Sequence, residues 1–166
     1  MIDYGDTVFA VERLRLKQQQ RRKSSATATA NGNTPEGSAV TTSQATILII
    51  DDSDAMVEVL TNLLQHFDCN VLSALNARDG LAAYERNQDK VALVILDMNM
   101  PLMDGAEALA KLRQINPHVP AIVSSSIPEA EARRRCRQQG QEISHYLAKP
   151  YTLEHARQMI GELLGR

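Results

Sequence analysis

The chain has 166 residues, 43% of them apolar and 23% charged, with a net charge of −2 and a pI near 6.1. Such values suit one ordinary globular domain with an appendage and give no general electrostatic drive toward nucleic acid. No apolar run approaches the roughly 18 residues a membrane span requires. Acids Asp3 and Asp6 precede any base, so no secretory signal is expected and a cytoplasmic location is.

Charge is unevenly placed. Residues 1–23 carry six bases and three acids, so the rest of the chain carries a net −5. Within this basic extension Val8, Val11 and Leu14 fall three apart, the spacing of a short helix ending in QQQRRK; a solvated tail and a docking helix both fit it. Residues 24–44, SSATATANGNTPEGSAVTTSQ, are small and polar with no apolar periodicity, which predicts a disordered linker. The folded domain is expected over 45–166.

There, short apolar runs alternate with helical periodicities. TILII at Thr46–Ile50 reads as a strand buried on both faces, and Asp54–Phe67 as a helix presenting Met56, Leu60, Leu63, Leu64 and Phe67. Asn70–Ala74 is a second strand and Asn76–Gln88 a second helix. Val91–Leu96 is a third strand, followed by a helix over Gly105–Ile115 with Leu109, Leu112 and Ile115 apolar, and Pro117 and Pro120 bracket its exit. Ala121–Ser124 forms a fourth strand, and Glu129–Gln139 a helix stopped by Gly140. Ser144–Ala148 is the fifth strand. Thr152–Leu164 closes the chain as a helix that Thr152 can cap, with Glu154 suiting the dipole of its first turn. The two cysteines, Cys69 and Cys136, resemble neither a metal knuckle nor a redox pair and are expected to pack as reduced thiols.

Five strands alternating with five helices predict an α/β fold, a doubly wound parallel sheet with helices on both faces. In such sheets chemistry collects at the carboxyl ends of the strands. Strand one ends in Asp51-Asp52, strand three in Asp97, strand four in Ser124-Ser125-Ser126 and strand five in Lys149-Pro150. With the flavodoxin-like order 2-1-3-4-5, three carboxylates meet a lysine and hydroxyls at one rim. Three buried anions that close require a cation. Oxygen ligands with an open side point to Mg²⁺. Asp97 can serve both as metal ligand and as nucleophile toward phosphorus, with Lys149 neutralising the transferred phosphoryl oxygens and a serine hydroxyl bonding the group once formed.

The motifs ILIIDDSD, VILDMNMPLMDG, PAIVSSSI and YLAKPY, in this order and at these spacings, resemble the receiver domains of two-component response regulators. The resemblance spans Ala45–Leu164. It implies Asp97 as phospho-acceptor, Asp52 as direct Mg²⁺ ligand, Asp51 as the acid holding the ion through water, and Asn99 as the residue whose backbone carbonyl completes the metal shell. Lys149 matches the family's lysine, aimed by a cis peptide to Pro150. Counting from Pro120 selects Ser125 as the switch hydroxyl, with Ser124 the alternative, and Tyr146 matches the aromatic that changes rotamer on activation. Two departures accompany the match: the triple serine, and a segment between Gly140 and Tyr146 somewhat longer than usual.

The implied function is a switch that takes a phosphoryl group from a sensor histidine kinase or a histidine phosphotransfer protein and alters protein contacts. No sequence for a DNA-reading domain follows Arg166, so a stand-alone receiver is expected, with the target and homodimerisation left open. The helix EAEARRRCRQQ carries Glu129–Arg133 and Glu131–Arg135 pairs at i,i+4 and a thin apolar stripe of Ala132 and Cys136. It is expected to be the least firmly anchored of the five and to present Arg133, Arg134 and Arg137 to a partner. Two alternatives remain at this stage. One is a receiver-like module that binds without phosphorylation. The other is a haloacid-dehalogenase-type phosphohydrolase, whose usual second Asp, two residues past the nucleophile, is here Asn99.

Overall fold

The computed structural model describes residues 44–67 and 69–165. The extension over 1–23 and, but for Gln44, the linker over 24–44 lie outside these residues.

The apolar runs form five strands, β1 (Thr46–Ile50), β2 (Asn70–Ala74), β3 (Val91–Asp97), β4 (Ala121–Ser125) and β5 (His145–Ala148). They alternate with α1 (Asp54–Gln65), α2 (Ala77–Asn87), α3 (Gly105–Ile115), α4 (Glu129–Gln138) and α5 (Leu153–Leu164). All neighbouring strands are parallel and the order is β2-β1-β3-β4-β5. This is the flavodoxin-like arrangement the sequence predicts.

Element ends differ from expectation by a residue or two. The third and fourth strands run one residue further, through Asp97 and Ser125, because the ladders continue to the pairs Asp97 with Ser124 and Ser125 with Ala148. The first helix stops at Gln65, where His66 and Phe67 turn back by donating to the carbonyls of Leu63 and Leu64. Helix starts follow their caps: the side chains of Ser53, Asn76, Asp104 and Thr152 each accept a backbone N–H of the first turn. Each such cap is worth about 1 kcal/mol.

Side-chain alternation along the strands divides the core in two. Ile47, Ile49, Leu93, Ile95, Ile122 and Leu147 face α1 and α5, packing on Leu60, Leu64, Ala156 and Ile160. Leu48, Ile50, Val94, Leu96 and Val123 face α2, α3 and α4, packing on Tyr84, Leu109, Leu112, Ala132 and Cys136. Burying each large side chain contributes about 1.5–3 kcal/mol. The stripe of α4 is as thin as its sequence suggests, with Ala132 and Cys136 buried among its residues. Polar contacts add to its anchoring, however. The Arg133 guanidinium pairs with Glu129 and also donates to the Ile143 carbonyl. From α3, Arg113 donates to the Glu142 carbonyl at 2.7 Å and to the Gln141 side chain at 3.2 Å. The longer segment before β5 is thus clasped by two arginines, and Arg133 is engaged within the fold rather than free for a partner as expected. Arg134 and Arg135 both pair with Glu131, whose carboxyl these partners hold down at about 2.

Neither cysteine forms a disulfide and both are buried, as expected. Burial pushes the Cys136 thiol up to about 11, which keeps it protonated and unreactive at neutral pH. Among the described residues no helix is long and apolar enough to cross a membrane.

Candidate functional site: an acidic rim with a buried lysine

Strand alternation decides which rim residues meet. Asp51 follows Ile50, Asp97 follows Leu96 and Ser124 follows Val123, so all three continue the row that faces α1 and α5. Lys149, two residues past Leu147, joins them. Its ammonium lies 2.7 Å from Asp51 Oδ2 and 2.8 Å from Asp97 Oδ1. The peptide between Lys149 and Pro150 is cis. The Lys149 amide also donates to the Ser125 carbonyl at 2.7 Å, extending the β4–β5 ladder to the lysine itself.

Burial and charge are in tension here. Asp51 and Asp97 are only 2% and 4% exposed. Burial raises the Asp51 carboxyl above its ordinary value of 3.8, against the lowering pull of Lys149 and the Ser53 amide. For Lys149, burial works to lower its affinity for protons, but the carboxylates of Asp51 and Asp97 outweigh it and leave the ammonium held more tightly than usual. The remaining Asp97 oxygen, Oδ2, accepts the Asn99 amide at 3.0 Å.

Asp52 completes the cluster from the solvent side: carboxylate oxygens of Asp51, Asp52 and Asp97 lie within 4.8 Å of one another, with Asp52 exposed. Three carboxylates against one ammonium leave two negative charges uncompensated. A hard dication restores balance, and the exposed side leaves room for its waters, so the donor set fits Mg²⁺. Asp51, Asp52 and Asp97 are the carboxylates that would hold it.

The uncompensated charge has a testable consequence in metal-free protein. Asp51 keeps its proton more tightly in the fold than in the unfolded chain, so the stability it contributes is fully present below pH 3.8 and is lost as pH rises through its raised folded value. Chelator-treated wild type and Asp51→Asn are therefore expected to have equal urea midpoints near pH 3.5, with the variant the more stable at pH 7. Millimolar Mg²⁺ should close that gap by stabilising the wild type alone. A gap that does not vary with pH would contradict this account.

The triple serine separates by face. Ser125 points to the α3 and α4 side, and its hydroxyl accepts the Ile127 amide at 3.3 Å. Tyr146, from the paired strand, donates its hydroxyl to the carbonyls of Ile127 and Ser125, the latter at 3.2 Å. Burial, with Glu129 nearby, raises the Tyr146 hydroxyl above its usual range. Ser125 and Tyr146 thus share one hydrogen-bonded corner, and both line a depression of about 390 Å³ with Lys149, Glu129 and His155.

Ser124 lies fully buried on the opposite face, on the acids' side, where its hydroxyl and that of Tyr151 have no well-formed hydrogen bond. Burial drives the Tyr151 hydroxyl well above its normal range, opposed by the nearby Ser124 hydroxyl and reinforced by Asp51 and Asp97. Sequence reading missed Tyr151. Its signal was available: Ser124 shares the alternation row of Asp97, and a polar side chain there needs a polar neighbour.

Comparison with known proteins decides what this rim belongs to. Residues 47–161 match the model of the response regulator receiver domain. The chain belongs to that family. This receiver is 34% identical over 122 residues to the transcription factor SKN7 of Chaetomium thermophilum, covering 72% of this chain and 15% of that protein. Against the probable transcriptional regulatory protein TcrX of Mycobacterium tuberculosis it is 29% identical over 121 residues, covering 73% of this chain and 50% of that one. It therefore spans half or less of these two curated relatives. A solved receiver domain protein from Clostridium thermocellum aligns at a TM-score of 0.65 and 28% identity, over 74% of this chain and 95% of that one. Receiver domains are phosphorylation-dependent signalling switches that bind Mg²⁺ at an acidic pocket, and this receiver carries a cluster of three aspartates at the ends of its first and third strands. The phosphohydrolase alternative is set aside by the family and by the topology, which puts Asp97 on the third strand rather than the first.

Proposed function

We propose that this receiver accepts a phosphoryl group on Asp97 from the phosphohistidine of a sensor histidine kinase or a histidine phosphotransfer protein. The observation that carries the reading is the Lys149 ammonium, hydrogen-bonded to Asp51 and Asp97 beside the exposed Asp52. Mg²⁺ held by Asp51, Asp52, Asp97 and the Asn99 carbonyl would supply the positive charge that offsets the incoming phosphoryl oxygens. Asp97 attacks phosphorus as its carboxylate. Lys149 moves its ion pair from carboxylate to phosphoryl oxygen without leaving its place. The Ser125 hydroxyl, exchanging the Ile127 amide for the phosphoryl group, pulls the β4–α4 turn, and Tyr146, bonded to two carbonyls of that turn, follows. The outcome is an altered surface over α4, β5 and α5 for a protein partner in the cytoplasm, reset by hydrolysis of the acyl phosphate.

Intact-mass measurement after incubation with Mg²⁺ and acetyl phosphate tests this. One added phosphoryl group is expected, dependent on Mg²⁺ and absent in Asp97→Asn. A wild type that binds Mg²⁺ and yet takes no label would instead assign the protein to phosphorylation-independent binding.

A further inference from the structure

One side of β2 is bonded to β1 and the other is an edge of the sheet. Its register runs unbroken from Asn70 opposite Thr46 to Ala74 opposite Ile50. The Asn70 amide donates to the Ala45 carbonyl at 2.9 Å, and the Ala74 carbonyl accepts the Asp51 amide at 3.1 Å. Asn70, Leu72 and Ala74 thus turn their backbone groups toward β1. Backbone groups alternate in direction along a strand, so those of Val71 and Ser73 point out of the sheet. Among the described residues no backbone partner meets them there. Asn70 and Ser73 are exposed, and Val71 and Leu72 are half-buried.

Open edges are ordinarily guarded by a lysine, a proline, a bulge or a covering segment. Residues 69–77 hold no charged side chain and no proline. The register shift in this sheet lies between β1 and β3, away from the edge. Leu75, just past the strand, is one of two large apolar side chains exposed among the described residues.

We propose that β2 is a docking edge for a second copy of this chain, the two strands pairing antiparallel about a two-fold axis at Leu72. Hydrogen bonding selects this occupant and register. With the axis at Leu72, Val71 of each copy stands opposite Ser73 of the other, so open backbone groups meet open ones on both sides of the axis. A slip of one residue would set open groups against those already bonded to β1. Charge selects it too. Outside its basic extension the chain carries a net −5, so two bodies repel unless they meet where charge is lacking, as it is over residues 69–77. Leu72, which packs on the α2 side of the sheet, would be covered by its twin.

The result is one continuous sheet with five strands from each copy and β5 at both outer edges. Because the paired strands run in opposite directions, the two acidic rims lie at opposite ends. Neither Asp97 is covered, and α4, β5 and α5 stay open to a target.

Sedimentation velocity of the full chain without phosphodonor, over about 5 µM to 1 mM, is expected to show a dimer with a Kd of about 10–500 µM, in keeping with a small interface. Ser73→Lys places a cation on the edge and should weaken it by about tenfold or more. Leu72→Cys reads the register. Across the axis its Cα atoms would lie about 4.5 Å apart, within the range of about 4.4–6.8 Å that a disulfide spans, so mild oxidation should cross-link the variant through residue 72. Ser73→Cys is the control, since its Cα atoms in the two copies would be diagonal neighbours about 7–8 Å apart. The native thiols are buried and should not cross-link. A chain that stays monomeric at the highest concentration overturns the proposal. So does a dimer that Ser73→Lys leaves intact, or a folded Leu72→Cys that cross-links no better than Ser73→Cys, because the interface then lies elsewhere. Equal thermal midpoints for wild type and Ser73→Lys, expected at an exposed position, show that the lysine acts on association and not on folding; if Leu72→Cys does not fold, the Ser73→Lys comparison still decides.

Discussion

Lys149→Met should lower the rate of Mg²⁺-dependent phosphorylation of Asp97 by about two to three orders of magnitude, the usual consequence of removing a preorganised charge from the site of developing negative charge. The same substitution should lower metal-free stability by about 3 kcal/mol at pH 7, because Asp51 and Asp97 would face each other buried with no counter-charge. The two effects are separable. Mg²⁺ supplies positive charge to the carboxylates and should restore part of the stability, whereas it cannot replace the ammonium on the phosphoryl oxygens. Urea unfolding with and without Mg²⁺, beside acetyl phosphate labelling, reads both. Wild-type labelling in the variant would show that the lysine is structural only.

The second large effect is expected at a residue with no chemistry of its own. A Cβ placed on Gly105 would lie 2.4 Å from the Asp97 carbonyl oxygen and 2.8 Å from Met98 Cα, both backbone atoms that a rotamer change cannot clear. The Gly105 amide also donates to the Met98 carbonyl at 3.0 Å, holding the start of α3 against the end of β3. Gly105→Ala is therefore expected to cost about 3 kcal/mol in chemical denaturation, at the upper end for overpacking, and to slow labelling because the displaced backbone carries Asp97. Gly80→Ala is the comparison: its nearest neighbours are side-chain atoms of Ile50, the closest at 2.5 Å, which can shift. The Gly80 variant should lose stability by a smaller amount and label normally. Equal stability losses at the two positions would mean that the backbone near Asp97 yields as easily as a side chain.

Most of the site could be read from the sequence because strand ends are written in composition. Apolar runs that stop at Asp51, Asp97 and Lys149 mark buried-to-exposed transitions, and one known strand order brings them together. The period-two rule then places them on one face without coordinates. The same rule places on opposite faces Ser124 and Ser125, the two serines between which the count from Pro120 favours Ser125. The contacts of Arg113 and Arg133 were not legible. They depend on where backbone carbonyls of an irregular segment point, and residues 139–144 carry no periodicity from which to infer it. Arg133 looked like surface because helical spacing reports only which residues share a helix face. Tyr151 escaped for a related reason. A hydroxyl next to a motif looks the same in sequence whether it turns to solvent or into the site.

The division of the core between the two sides of the sheet has a consequence for how such a molecule can diversify. Asp51, Asp97 and Lys149 belong to the α1 and α5 side, whereas Ser125 and Tyr146 belong to the other, so the sheet acts as a partition one strand thick. In the mechanism proposed above, the Ser125 hydroxyl carries news of a bond made in the first compartment to the second, around the open end of β4 rather than through the sheet. Residues packed against α2, α3 and α4 are free to drift, and with them the audience that hears the message, while the chemistry behind the partition stays as it was.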